Sequence, residues 1–496
     1  MSDRSGKREQ GEREADVIVV GTGAGGATVA RGLALAGIHV LLVEEGPDLR
    51  HRPTEPNALG AMTARFRDFG ATVATGGGAV IPLIQGVLVG GSTAINSAIW
   101  WRLPEHVYGE WIAQDPKLRD ALSYRAIDDA AAAMEQAASV RPVEAQVQGQ
   151  NNLLLEKATA ALGVEGHVIR RAESGCQGSG RCMFGCKERR RQGMDVSFIP
   201  DALAAGAELA ADTRVSRVRI RAGRAEGVDV LSNKKPSFIR ARRGVVLAAG
   251  ALHTPHLLAR SGIAGAVGAR FTAHPGFSVG GFFDTPVRPG AGATQGYEST
   301  HLGSLGMKVE ALGLPRALAA ARLPGAGGLM RSLVDDLDHL AVWGCLLRPS
   351  RHGRVKAGIF GGPAASIPLY RNDLDRALVG VKHLVELMFA AGARRVLPGI
   401  AGAPKVIDRP SMLDAVRSIS PRQLSWVATH LFGGAVLGTD ASQTVVGPDF
   451  AVHGIRGLFV ADASVIPTSL GVNPQGTIMS LAHVAAGRIE GRLMQA

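Results

Sequence analysis

The sequence predicts an α/β protein whose first domain is a mainly parallel sheet. Three observations carry this. Near the N terminus a β-branched run, a glycine-rich turn, a helix of small residues, a second apolar strand and an acid follow one another. A strand–turn–helix pattern recurs near residue 250 and again near residue 460. Between these lie long stretches with helical and hairpin patterning, enough chain for a second domain.

Composition narrows the class. The chain has 496 residues, a length that suits about three domains or two large ones. With 46% apolar and 20% charged residues it is globular, neither disordered nor a coiled coil. Its 65 glycines show no three-residue period, which excludes collagen. A net charge of +12 raises the question of nucleic acid. The arginines are scattered, however, and the runs Arg189-Arg190-Arg191 and Arg240 to Arg243 lack interleaved aromatics for base stacking, so no nucleic-acid partner is expected. Four cysteines argue against a disulfide-stapled secreted protein. The first fifteen residues are polar, with no apolar core, so no export signal is expected there. No run of 18 uncharged apolar residues occurs, so no transmembrane segment is expected and the cytoplasm is the default compartment.

Each part of the N-terminal unit has a physical task. Asp16 to Val20 reads as a buried strand, Ala27 to Ala36 as a helix, and Ile38 to Val43 as the next strand, ending at Glu44. In the turn between them, Gly21 permits the tight bend and Gly23 lets the backbone approach a pyrophosphate. Gly26 lets helix and strand pack closely. Free amides at the helix start attract phosphate. Glu44, eighteen residues after Gly26, stands where a carboxylate accepts hydrogen bonds from an adenosine ribose.

A second glycine loop, Gly90-Gly91-Ser92-Thr93-Ala94-Ile95-Asn96 with Trp100 beyond it, adds a family to this reading. Together with the N-terminal unit it resembles the first signature of the glucose–methanol–choline (GMC) oxidoreductases, which bind FAD. The chain departs at Val87, where a basic residue or Asn is usual. The resemblance implies that Gly90, Gly91, Ser92 and Asn96 pass beside the flavin ring and pyrophosphate. The segment Gly250-Ala251-Leu252-His253-Thr254-Pro255 through Ser261-Gly262-Ile263 resembles the second signature, with Ala264 in place of the closing Gly. Before it, Gly244 to Ala249 reads as a buried strand, and Pro255 as a helix start. Thr213 to Ile220 and Gly227 to Leu231 read as a β-hairpin. Within that hairpin Val215 sits where the family places a backbone contact to adenine.

The C-terminal segment looks like the family's closing unit: strand Gly457 to Ala461, then Asp462-Ala463-Ser464, Asn473-Pro474 and a small-residue helix Thr477 to Ile489. The resemblance implies that Asp462 contacts the ribityl chain and that Asn473 stands in the active site. Upstream, His430-Leu431-Phe432-Gly433-Gly434 resembles the family's catalytic His segment. Oxidising an alcohol takes a proton off oxygen and a hydride off carbon. The proton needs a base that titrates near working pH, which favours His. Asn473 cannot titrate, so His430 is the expected base, with Asn473 donating a hydrogen bond to the substrate oxygen. Glu310 is a weaker candidate for a second acid/base, because sterol-oxidising relatives use a carboxylate. His253, His256, His274, His301 and His453 read as packing or surface residues.

Cys176, Cys182 and Cys186 fall within eleven residues, spaced to suggest iron–sulfur ligation, with basic residues following. A similar segment also occurs in alcohol-oxidising GMC members with no cluster assigned, so no metal is expected and the three thiols remain the minor cluster candidate. Zinc would lack a fourth ligand.

The expectation is therefore a discontinuous Rossmann-like FAD-binding domain (residues 12–105, 196–285 and 440–496) plus a substrate domain of antiparallel sheet flanked by helices (106–195 and 286–439). Ala121 to Val140 and Leu374 to Ala391 read as helices, and Leu314 to Leu337 as a lid or an ordinary cap helix with a break. The cap holds few acidic or amide clusters of the kind that bind sugars. The expected substrate is therefore an apolar alcohol: long-chain, terpenoid or steroid-like. Oxygen or an electron carrier would reoxidise the FAD. The alternatives are a flavin-containing lyase and an electron-transfer subunit with an iron–sulfur cluster.

Overall fold

The computed structural model describes residues 13–359 and 361–495. Residues 1–12, most of the polar segment read above as free of an export signal, lie outside the described residues. Among the described residues no helix is long and apolar enough to cross a membrane.

The first sheet has seven strands, in the order 208–210, 40–43, 13–20, 235–247, 224–232 and 213–221, with 458–460 added alongside 235–247. Arg13–Val20 pairs in parallel with Val40–Val43 and with Lys235–Leu247. Both flanks are covered, so these strands are almost wholly apolar inside: Val17, Ile18 and Val19 are fully buried. The expected hairpin is present as Thr213–Arg221 and Arg224–Ser232, antiparallel. Leu458–Val460 arrives from the far end of the chain and pairs in parallel with Lys235–Leu247. The strand and helix expected at the N terminus appear as Arg13–Val20 and Ala24–Leu35. The helix after the second signature begins at Gly250 and carries Pro255 in its interior, not at its start. The cause is non-local: the Asp462 carboxylate accepts the Gly250 amide at 2.7 Å and so fixes the first turn five residues early.

The second sheet is also seven-stranded, in the order 395–397, 272–282, 340–347, 307–311, 297–299 and 167–168, with 427–432 beside 272–282. All its pairings are antiparallel. The helices Gln150–Leu162 and Arg371–Ala390 lean on it and share its core with Trp343, Phe277 and Leu384. The strand Thr272–Phe282 thus belongs to this sheet, although its residues fall within the first domain's expected limits. Conversely Tyr124–Ala137, expected in the cap, buries Ile127 and Met134 in the first sheet's core. The stretch 314–337 forms two short helices, Arg316–Ala320 and Gly327–Asp335, over a small apolar cluster that includes Leu323 and Leu333.

One ion-pair knot ties Tyr124–Ala137 to the junction of the two domains. Glu135 accepts bonds from Arg102, Arg170 and the Trp100 indole at 2.9–3.0 Å. Burial pushes its carboxyl up, but the two guanidiniums outweigh this and hold it down to about 2. A carboxyl depressed below its unfolded value of about 4.3 adds stability above that pH and loses it as the pH falls through its folded value. Glu135→Gln is therefore expected to lower the thermal midpoint at pH 7. The gap from the parent should close as melts are repeated from about pH 4 towards pH 2.

Candidate functional site

The ends of the parallel strands open on a cavity of about 1030 Å³ that runs between the two sheets. The first glycine loop forms its floor. Gly21 has φ +99°, and a side chain there would meet the Ala248 carbonyl at 2.3 Å. A Cβ on Gly26 would lie 2.0 Å from the Gly21 carbonyl, so helix and strand touch backbone to backbone. At Gly23 nothing lies within 4 Å of the Cβ position. That glycine leaves open space at a helix N terminus where the cavity wall turns, which is what a pyrophosphate requires. The cavity, about 1030 Å³ and lined from this glycine cradle to the second sheet, is also roomy enough for a dinucleotide, so the residues present fit FAD.

Glu44 organises this floor. Its carboxylate accepts from the Thr22 amide (3.1 Å), the Thr22 hydroxyl (2.6 Å) and the Gly46 amide (2.9 Å). The Thr22 hydroxyl in turn accepts from the Gly90 amide at 3.0 Å, which binds the second glycine loop to the first. A Cβ on Gly91 would come within 3.0 Å of the Gly23 Cα. Burial raises the Glu44 carboxyl above its ordinary value, although Thr22 and Gly46 pull the other way. Ser92 accepts from the Gly86 amide just upstream, and Asn96 donates to Gln475 at 2.7 Å, so the loop is held both locally and by a segment distant in sequence. Val215 lines the cavity from the hairpin, 7% exposed. Asp462 binds the Gly250 amide, the Thr254 hydroxyl (2.5 Å) and the Ser464 amide (2.7 Å).

His430 and Asn473 meet at the cap side of the cavity. His430 lies on Val427–Phe432, opposite Thr272–Phe282. The pairing there is irregular: Ala273 faces Leu431, but Pro275 faces Ala428. This bulge sets two residues against one and turns His430 toward His274, a common device beside active sites. The ring nitrogens His430 Nδ1 and His274 Nδ1 lie 3.1 Å apart, and His274 Nε2 accepts from the Gly471 amide at 2.9 Å. Asn473 Nδ2 is 3.4 Å from His430 Nε2. His430 lies deep in the protein yet keeps open surface, because it borders the cavity. Burial, and then the Lys308 charge, push its pKa down to about 3. Burial and the nearby His430, Arg348 and Lys308 hold His274 well below the ordinary histidine value.

Lys308 and His274 are the residues that sequence reasoning missed. Lys308 is buried on the strand Met307–Ala311. Its ammonium contacts Glu298, Glu310 (2.7 Å) and the Asn473 side-chain oxygen, and lies over the Trp101 ring. Glu298 is further held by Trp101 Nε1 (2.9 Å) and His167 Nε2 (3.0 Å). Burial would lower the lysine pKa, but the two carboxylates outweigh it and raise it. A signal was present: Lys308 and Glu310 are two charges at i and i+2 of a short apolar run, which puts both on one face of a strand. Glu310 lines the cavity as this ion pair's partner.

The three cysteines border one small cavity with Arg171, Glu173 and Arg191, but their thiols are held by separate donors. Cys182 Sγ accepts from Arg171 Nη2 at 3.3 Å, Cys186 Sγ from the Arg191 amide, and Cys176 Sγ from the Gly178 amide. Among the described residues no group of three or more His, Cys, Asp or Glu side chains sits where it could hold a metal ion. Burial raises the Cys182 thiol, but Arg171 and Arg191 outweigh it and hold it low.

Comparison with known proteins gives the family. Family models described as GMC oxidoreductase match residues 15–276 and 361–482. An uncharacterized GMC-type oxidoreductase of Mycobacterium tuberculosis, Rv0492c, is 34% identical over 492 residues, covering 97% of this chain and 76% of that protein. The long-chain-alcohol oxidase FAO4A of Arabidopsis thaliana is 26% identical over 505 residues, covering 95% and 68%. Among solved structures, pyridoxine 4-oxidase from Mesorbium loti superposes with TM-score 0.72 at 17% identity, covering 96% of this chain and 99% of that one. Formate oxidase from Aspergillus oryzae, studied for its FAD modification, gives 0.70 at 18%, covering 97% and 99%. Both show the same fold.

Removing the cation from a buried cluster leaves its carboxylates uncompensated, typically at about 3–5 kcal/mol. Lys308→Met is expected to lower thermal stability on that scale. Adding Glu298→Gln and Glu310→Gln should recover part of the loss in the same melting experiment.

Proposed function

We propose that this chain, which belongs to the GMC oxidoreductases, oxidises the CH–OH group of an apolar alcohol, with His430 and Asn473 meeting the reacting oxygen. It is an FAD-dependent oxidoreductase. The finer reading rests on one observation: the two side chains converge at the cap end of a cavity whose other end is the dinucleotide floor. FAD, when bound, supplies the hydride acceptor that no protein side chain can provide.

The residues that would hold the cofactor are those of the floor. The amides around Gly23 would take the pyrophosphate, Glu44 the ribose and the Val215 backbone the adenine. Gly90, Gly91, Ser92 and Asn96 would flank the ring side, and Asp462 would meet the ribityl chain. At the reacting end, His430 is the group that takes the hydroxyl proton, which requires Nε2 to be bare at that moment. Its depressed pKa keeps the imidazole neutral at working pH. Asn473 donates to the substrate oxygen as negative charge grows there. The grip of Lys308 on its carbonyl oxygen fixes the amide so that the NH₂ group faces His430.

Support for an apolar substrate comes from the cap wall, where Phe277, Leu312, Leu314, Leu318 and Leu346 line the cavity. Long-chain-alcohol oxidases among the relatives agree with it. Oxygen or a carrier takes the electrons afterwards.

The deciding experiment is anaerobic mixing of the oxidised holoenzyme with a panel of long-chain, terpenoid and sterol alcohols, read by bleaching of the flavin band. His430→Ala is expected to keep its FAD and to lose reduction rate by about 10²-fold or more. Reduction at the parent rate would remove His430 from the chemistry. Admitting air to the bleached parent then separates an oxidase from a dehydrogenase. A second pair of variants tests the cradle. Gly23→Val should fold yet purify without flavin, since its side chain enters open space. Gly26→Val, forced against the Gly21 carbonyl, should instead fail to fold stably. A flavin-replete Gly23→Val protein would contradict the placement of the pyrophosphate.

A further inference from the structure

The contacts around His430 fix where its proton sits. Both imidazoles are neutral, so each carries one N–H. The Gly471 backbone N–H can only donate, so His274 Nε2 is an acceptor and the His274 proton lies on Nδ1. That proton points at His430 Nδ1, 3.1 Å away, which must therefore accept. The single proton of His430 is left on Nε2. From the other side, the Lys308 ammonium can only donate to Asn473, so the Asn473 NH₂ is turned to the same Nε2. Two donors thus face one another at 3.4 Å, the longest contact of the chain, and neither has an acceptor in the other.

We propose that His274 is a positioning residue that locks the His430 proton on Nε2, so that the resting site offers two donors, His430 Nε2–H and Asn473 Nδ2–H, to an oxygen that gives no hydrogen bond back: a carbonyl oxygen. An oxygen seated beside the pair accepts from both and relieves the opposition between them. A hydroxyl fits less well at the pair, because neither His430 Nε2–H nor Asn473 Nδ2–H can accept its proton, and the Glu310 carboxylate on the same cavity wall is already engaged by Lys308 and Gln295. This inference rests on the reading of His430 and Asn473 as the groups that meet the substrate oxygen, and it deepens that reading. The proton-accepting form of His430, with Nε2 bare, is the minority tautomer, reached by giving up the Gly471–His274 bond. The resting enzyme is therefore complementary to the carbonyl product, and product departure is the step this geometry slows.

The test uses holoenzyme carrying ring-¹⁵N histidine, without substrate, with the His430 signals assigned by their loss in His430→Ala. The wild type should show the His430 proton on Nε2. His274→Phe keeps a ring against Phe432 but has no N–H to give, and should redistribute the proton between the two nitrogens. His274→Asn, whose amide N–H can stand where Nδ1–H stood, should restore it to Nε2. Acetone should shift the Nε2 signal at concentrations about tenfold below those needed for tert-butyl alcohol, an alcohol of similar bulk with no hydride to lose. A wild-type proton on Nδ1, or a proton unmoved in His274→Phe, overturns the lock. Equal response to acetone and tert-butyl alcohol overturns the carbonyl preference. Should His274→Phe not hold flavin, the wild-type tautomer and His274→Asn decide the matter. Normal flavin reduction by His430→Ala would instead overturn the proposed function while leaving the tautomer assignment standing, so the two failures are distinct.

Discussion

Two buried carboxylates hold this molecule's central cleft together. Glu44 and Asp462 each sit at the carboxyl end of a parallel strand, each nearly out of contact with water, and each spends its oxygens on backbone amides and a threonine hydroxyl. Burial raises both carboxyl pKa values, so water has been given up at a real cost. What is gained is alignment. Glu44 joins the first glycine loop to the second through Thr22, and Asp462 joins the helix at Gly250 to the closing strand. Four segments that meet nowhere in the sequence become one wall. The glycines then matter as the positions where that wall is thinnest.

The reacting end is organised on another principle. There the chain uses a strand irregularity, a second imidazole and a buried ammonium to aim two polar groups at one place. Each of the three is compensated where it stands. The bulge in the pairing of 272–282 with 427–432 needs only a mismatch of register. The ammonium is matched by two carboxylates, themselves braced by an indole and an imidazole. Together they leave His430 and Asn473 little freedom of orientation, which is the condition under which hydrogen-bond direction carries chemical meaning.

Much of the first domain was legible in the sequence because its signals are local. A glycine between two apolar runs, an acid at a strand end and a small-residue helix follow from rules that span thirty residues, and the strands and helix appear within a few residues of their expected places. The hairpin at 213–232 was readable for the same reason. The start of the helix at Gly250 was not, because a carboxylate more than two hundred residues away fixes it. His274 read as a packing histidine, and nothing around it in sequence says otherwise. Only the register slip against 427–432 makes it the partner of His430. Lys308 stood in plain view as a lysine two residues from a glutamate in an apolar strand, yet its bond to Asn473 belongs to the tertiary fold. The spacing of the three cysteines suggested a common ligand; in the fold they border one small cavity, where each thiol accepts from an arginine or a backbone amide.

The strand 458–460 has a consequence for how the protein is made. It lies beside 235–247 in the middle of the first sheet's path, and Asp462 follows it directly. Until that stretch has left the ribosome, the sheet lacks a neighbour, the helix at Gly250 lacks its anchor and the nucleotide cleft has one side missing. Until then the nascent chain carries an incomplete and largely apolar half-sheet, a state prone to chaperone capture. Cofactor insertion then has to wait until residue 458 and the Asp462 that follows it have been made, and a chain cut short before residue 458 would lack one side of the cleft.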